Sequence, residues 1–237
     1  MRINADFGRR AAVHGGREGW VPSPAAGVER LMLDRVGGEV ARATSLVRFA
    51  PNSRFPAHTH GGGEEFLVLE GVFEDEQGAF PAGSYVRNPP TSRHTPGSGP
   101  GCVIFVKLWQ FAADDRTHLV RDIGRLEATA VPSRPGVRAA PLHEDARETV
   151  RIEWWEPGGR IAFLPEGGLE ILCLEGEFEE GGERFARWSW LRLPVGEALQ
   201  ARAGPRGCKL WVKEGHLRHL ETALAALEAA TAGAPRT

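Results

Sequence analysis

Three histidines and one glutamate stand close together in kind and spacing: His58-Thr59-His60-Gly61-Gly62-Gly63-Glu64, followed later by His94. Alternate residues of a strand share a face, so His58 and His60 present two imidazoles side by side. The three glycines let the chain turn and return Glu64 to the pair, with Glu65 pointing away. Two neutral nitrogens and a carboxylate make the facial donor set of open non-haem metal centres. His94, on a strand coming back after the Pro89-Pro90 corner, adds a fourth donor. Burying these groups with no counter-charge would carry a considerable desolvation cost. His58, His60, Glu64 and His94 are therefore expected to hold one divalent transition metal ion per chain: zinc, iron, manganese or nickel, with zinc or iron favoured. A histidine standing alone is more often a hydrogen-bonded core residue than a ligand, and His14, His118, His143, His216 and His219 are read that way.

Such donors need strands to hold them. Runs rich in Val, Leu, Phe and Trp at 44–49, 65–69, 103–109, 152–155, 170–174 and 209–212 are mostly bounded by Gly, Pro or charged turns, the pattern of short strands in a sandwich or barrel. Helical periodicity is convincing only at the C-terminus, where Leu217, Leu220, Leu224 and Leu227 share one face, as a lid packed on a barrel would require.

An internal repeat sets the organisation. Glu65-Phe66-Leu67-Val68-Leu69-Glu70-Gly71 lies over Glu170-Ile171-Leu172-Cys173-Leu174-Glu175-Gly176 at an offset of 105 residues. The same offset carries Ser84, Arg87 and Pro89 onto Ser189, Arg192 and Pro194. With one residue inserted, Cys102 through Lys107 falls on Cys208 through Lys213. Each half is an all-β unit of about 100 residues, an ordinary domain size. The fold expected is all-β: two tandem jelly-roll barrels over 1–117 and 118–215, then a C-terminal helix and tail over 216–237, with a linker within the Pro-rich stretch 114–147. The repeat puts Phe163, Pro165, Leu169 and Leu199 where His58, His60, Glu64 and His94 stand, so the second lobe is expected to be structural. Trp154, Trp155, Trp188, Trp190 and Trp211, five of the seven tryptophans, are expected to help fill it.

Composition narrows the function. A net charge of −2 gives no general attraction to nucleic acid or to an anionic membrane. Cys102, Cys173 and Cys208 form no C-x-x-C pair, which argues against a disulfide framework and a thiolate zinc site. The first residues lack a signal-peptide core and no apolar run is long enough for a membrane span, so a cytoplasmic protein is expected. G-x-x-x-x-G-K-[ST], G-x-S-x-G and H-E-x-x-H are all missing, which removes phosphate-cradling, serine-nucleophile and zincin chemistry.

These residues resemble the cupin superfamily, whose first motif is met by His58, His60, Glu64 and Gly71. Where the second cupin motif usually has its histidine, Pro81-x-Gly83 is followed by Val86. That departure, with Gly83-Ser84-Tyr85-Val86-Arg87-Asn88-Pro89-Pro90 and then His94, is similar to the ChrR-type cupins of zinc-binding anti-sigma factors. Nothing here corresponds to the helical anti-sigma domain of those proteins. The resemblance implies a bicupin with either of two roles. One is a cupin dioxygenase, in which three histidines and a glutamate leave two octahedral positions for O₂ and a small chelating substrate. The other is a ChrR-like zinc-binding sensor or regulatory module with a closed tetrahedron. A small-molecule ligand, with no nucleic acid, no membrane and a monomeric or homodimeric state, completes the expectation. Tyr85 and Arg87 are candidate pocket residues, with a surface or packing role expected for at least one.

Overall fold

The computed structural model describes residues 1–16 and 19–232. It is built from antiparallel strands and ends in a 3₁₀ turn, His216–His219, and a helix, Leu220–Ala232. Every apolar run singled out in the sequence lies in a strand, apart from Trp109 at the end of one. In the C-terminal stripe Leu217 and Leu227 are buried, while Leu220 and Leu224 are half-buried. Among the described residues, no helix is long and apolar enough to cross a membrane.

The chain divides into two compact units. The first comprises Met1–Ala5, Glu18–Gly124 and Glu221–Thr237. Its main sheet runs Arg2–Ile3, Val28–Gly37, Ala41–Phe49, Cys102–Leu108, Glu64–Asp75, Ser84–Asn88 and Leu119–Asp122 in spatial order. The second comprises Asp6–Arg17 and Arg125–Leu220. Its sheet runs Thr129–Ala130, Val137–Glu144, Thr149–Trp155, Leu199–Glu214, Leu169–Glu180, Trp190–Leu193 and Ala11–Val13. The stretch 114–147, expected to hold the linker and the entry into the second unit, carries strands of both sheets, and the second sheet takes an edge strand from near the N-terminus. Each unit thus closes with a short strand from a distant part of the chain, which no repeat at a fixed offset reveals.

Alternation sorts the faces of both sheets. In the first unit Phe66, Val68, Val86, Ile104 and Val106 join Val28, Phe49 and Phe73 in the core. Their neighbours Glu65, Tyr85, Arg87 and Lys107 turn to the other face and are also almost fully buried. There Tyr85 Oη donates to Glu65 Oε1 at 2.8 Å, and Arg87 pairs with Asp115 at 3.0 Å beneath the Phe111 ring. The second unit repeats the arrangement with Glu170, Trp190, Arg192 and Lys213, Trp190 Nε1 donating to Glu170 at 3.3 Å. Buried charges are costly unless paired, and here each partner is supplied from within the same unit. Of the five tryptophans expected to help fill the second lobe, Trp155, Trp190 and Trp211 are buried and Trp154 and Trp188 half-buried; Trp155 packs with Phe178, Phe185 and a set of leucines, while Trp190 and Trp211 fill the charged face. The cysteines are free and buried, and burial pushes the thiols of Cys102 and Cys173 up to about 11 and about 12.

The glycine shared by the two halves has a steric cause. Gly71 sits at φ 69°, and a Cβ there would lie 1.9 Å from the Gly101 carbonyl oxygen; at Gly176 the figures are 71° and 2.1 Å to Gly207. Gly71→Ala is therefore expected to destabilise the protein by about 2–4 kcal/mol, from a left-handed backbone and overpacking together. Urea unfolding followed by circular dichroism checks this, and a loss below about 1 kcal/mol would show that the strands separate easily.

Candidate metal centre

His58 and His94 are partners across a short antiparallel ladder, His58–Thr59 against Arg93–His94. His60 follows the first of these strands, and its backbone N–H and C=O are held by Ser92 and Thr91 at 2.9 and 2.8 Å. Glu64 begins the long strand Glu64–Asp75 and faces Asn88 across it. Between them, Gly61 and Gly62 are required by space: a Cβ at either would lie 2.7 or 2.4 Å from the Trp109 indole. Trp109 itself has φ 59°, an unusual conformation for a bulky residue, and its backbone N–H donates to the Gly63 carbonyl at 3.1 Å.

All four expected residues come together. One donor atom from each of His58, His60, Glu64 and His94 lies within 4.8 Å of the others. The ring centroids form a triangle with sides of 4.7, 5.1 and 4.7 Å. Glu64 Oε2 is 3.4 Å from His60 Nε2 and 3.5 Å from His94 Nε2. His60, Glu64 and His94 are buried, and His58 is half-buried.

The surroundings aim these donors inward. His94 Nδ1 lies 2.9 Å from Asp75 Oδ2, and His58 Nδ1 lies 2.9 Å from the Pro56 carbonyl oxygen. An acceptor on Nδ1 assigns the proton there and leaves Nε2 bare toward the cluster. Asn88 Nδ2 donates to Glu64 Oε2 at 3.3 Å and fixes that carboxylate. With His94 Nε2 bare, the 2.9 Å approach of His60 Nε2 requires a bridging proton, the place a cation would take. Burial lowers the pKa of His60, more than the Glu64 charge restores. At His94 burial also lowers it, but the Asp75 hydrogen bond and the charges of Glu64, Asp75 and Glu76 together outweigh burial and raise it. Three imidazoles, two of them with outward-bonded Nδ1 atoms, and a carboxylate are compatible with one metal ion.

The cluster borders a cavity of about 290 Å³, lined by His58, His60 and Glu64 on one side and by Val28, Val47, Phe49, Phe55, Ile104, Val106 and Trp109 among others. Tyr85 and Arg87 do not line it. Two residues apart on one strand, they share a face, and that is the buried Glu65 side. The other histidines stay out of the cluster: His14 pairs with Glu183, His143 with Asp145 and His216 with Glu170. Sequence reasoning gave no role to Asp75 and Asn88. Asn88 stands in the stretch Gly83–Pro90 that resembles the ChrR-type cupins, but only the fold shows that it and Asp75 hold Glu64 and His94.

The same places in the second unit are apolar. Phe163 pairs with Leu199 as His58 pairs with His94, and Leu169 pairs with Leu193 as Glu64 pairs with Asn88. Leu169 and Leu199 are fully buried in the core, with Phe163 packed against it.

Residues 9–112 match the family model of the ChrR cupin-like domain. The fold is that of the cupins. By structure the chain is similar to a protein from Nostoc punctiforme described as a candidate dioxygenase, with TM-score 0.67 and 16% identity over 90% of this chain and 81% of that one. It is similar also to the bacterial pirin of Escherichia coli in complex with nickel(II), with TM-score 0.63 and 11% identity over 87% of this chain and 98% of that one. At such identities the likeness establishes the cupin fold and no more. No curated protein sequence matches the chain.

Asp75→Asn removes the anionic acceptor that orients His94. It is expected to weaken binding of added nickel(II) by about 10–100-fold in a competition titration. An unchanged affinity would mean that the 2.9 Å contact plays no part in presenting His94.

Proposed function

We propose that the protein is a metal-dependent bicupin enzyme of dioxygenase type, with one mononuclear centre in the first unit at His58, His60, Glu64 and His94. The second unit is then a degenerate cupin with a structural role. For such an enzyme the ion is iron before manganese or nickel, since zinc has no redox chemistry and belongs to the second reading below, and the substrate is a small chelating molecule.

The observation that carries this reading is the cavity. Three of the four donors open onto an apolar-walled space of about 290 Å³, just below the usual range of about 300–1,000 Å³ for ligand pockets. A structural zinc closed by four protein donors has no use for such a space. Bound there, the ion supplies Lewis-acid polarisation and a template for a chelating substrate and O₂. The chain's own contribution is to hold two imidazoles at fixed angles through Asp75 and Pro56, to clamp the backbone of His60, to anchor the carboxylate through Asn88, and to surround the substrate with Val, Ile and Phe side chains that exclude water. In this reading the protein works in the cytoplasm, as a monomer or homodimer, on a small molecule and not on nucleic acid or a membrane. The net charge of −2 supports the last point. A non-enzymatic zinc-binding sensor is the second reading, favoured by the ChrR cupin-like match over residues 9–112.

Metal analysis of protein purified without added metal is expected to give about one equivalent per chain, and His58→Ala to give a small fraction of that. A chelator should lower the melting temperature by about 5–10 °C, the loss of a ligand present at roughly a hundred times its Kd. Stoichiometric metal in His58→Ala, or none in the parent, overturns the site. Cobalt(II) substitution separates the two readings: a weak visible spectrum that shifts with added chelating ligands marks an open site, and an intense, unresponsive tetrahedral spectrum marks a closed one.

A further inference from the structure

We propose that Arg30 and Arg35 form an anion subsite in the cavity wall, so that the ligand of this cupin is a small carboxylate with a compact apolar body. The far end of that ligand faces the His/Glu cluster, and this part alone rests on the metal-centre reading above.

Both arginines are on the strand Val28–Gly37, five residues apart, and strict alternation would send them to opposite faces. A bulge between Met32 and Asp34 breaks the alternation. Arg30 stands opposite Val47 and Arg35 opposite Ala43, and all four line the cavity. The second unit has the same bulge between Pro141 and His143, so the bulge belongs to the fold, and what sets the first unit apart is that arginines occupy the two positions it aligns.

Besides Glu64 of the cluster, exposed Glu39 is the carboxylate that shares this cavity lining, and among the described residues it stays beyond ion-pair distance of both arginines. Arg35 is only 8% exposed, and its hydrogen bond goes to the Gly38 carbonyl oxygen. Arg30 is half-buried, with its guanidinium 5.7 Å from the centre of the Phe55 ring. Among the described residues neither makes an ion pair, although most other buried arginines do, as Arg42 does with Asp34 and Arg151 with Glu153. Exposed Glu39 acts on them only through its charge. Burial holds both guanidinium groups below their ordinary pKa, and Arg30 lowers Arg35 further by like-charge repulsion.

Two cations against one exposed carboxylate, Glu39, thus stand in a largely apolar cavity lining. A carboxylate offsets both the burial and the repulsion, and a guanidinium can grip it with two parallel hydrogen bonds. Val28, Val47, Ile104 and Val106 line the same cavity and suit an apolar body. His58, His60 and Glu64 border it too, so one small molecule can meet both the cations and the cluster.

The test is calorimetric titration of the full chain with phenylacetate and 3-phenylpropionate beside their neutral amides. Parent, Arg30→Gln, Arg30→Lys and Arg35→Gln are compared, with metal content measured on each sample. In the parent the carboxylates should bind at least about tenfold more tightly than the amides. Arg30→Gln and Arg35→Gln should lose that preference with metal content unchanged, and Arg30→Lys should keep part of it. Equal binding of acids and amides, no carboxylate binding in the millimolar range, or a preference that survives Arg30→Gln overturns the subsite. Where Arg35→Gln melts early, the half-exposed Arg30 decides alone. A carboxylate preference that depends on Arg30 in protein lacking any metal would retain the subsite and sink the metal centre. Stoichiometric metal with no carboxylate preference would do the reverse.

Discussion

Three imidazoles and a carboxylate crowded within 4.8 Å in a largely buried setting are the constraint on which the first unit turns. Desolvation opposes such a gathering, and neutral imidazoles give one another no attraction to offset it. The structure meets the cost with outward hydrogen bonds on two rings, an amide on the carboxylate, and backbone bonds that clamp His60. Each of these partners lies on an element next to the donor it serves. The two-stranded ladder, the glycine turn under Trp109 and the long strand from Glu64 are therefore one device for holding four donors in place.

The second unit shows the same scaffold released from that constraint. Its Phe163–Leu199 and Leu169–Leu193 pairs reproduce the register of the donor positions, yet apolar side chains close the space. What both units keep is the buried charged face, Glu65, Tyr85, Arg87 and Lys107 in one and Glu170, Trp190, Arg192 and Lys213 in the other. A feature retained where the donors are lost belongs to folding and strand register rather than to chemistry. Tyr85 and Arg87 owe their burial to that face.

Asymmetry between the units extends to the cavity wall. Both units carry a bulge at the matching place of this strand, between Met32 and Asp34 and between Pro141 and His143, but only the first has arginines at the two positions it aligns, where the second has Ala139 and Glu144. The aromatic and aliphatic walls give those arginines a low-dielectric setting. A cation in such a setting is costly alone and a strong recognition element once paired. Electrostatics and packing therefore select together for a small ligand that is apolar along its body and anionic at one end.

The sequence by itself determined which four side chains gather in the first unit, the internal repeat, and the apolar residues at the matching places of the second. Those are matters of residue type and short spacing: His58 and His60 two apart on a strand, a glycine turn, and a repeat at an offset of 105 residues that survives any folding. It also fixed the strands, because period-two alternation and turn residues are local signals. Tertiary structure decided what depends on residues far apart in the chain. Asp75 and Asn88 orient His94 and Glu64 only because strands bring them there. The edge strands Leu119–Asp122 and Ala11–Val13 go to sheets that the linear order does not indicate, since an edge needs only a hydrogen-bonding partner and carries little pattern of its own. Arg30 and Arg35 share a face because of one extra residue in a ladder, a shift of parity that alternation alone cannot foretell.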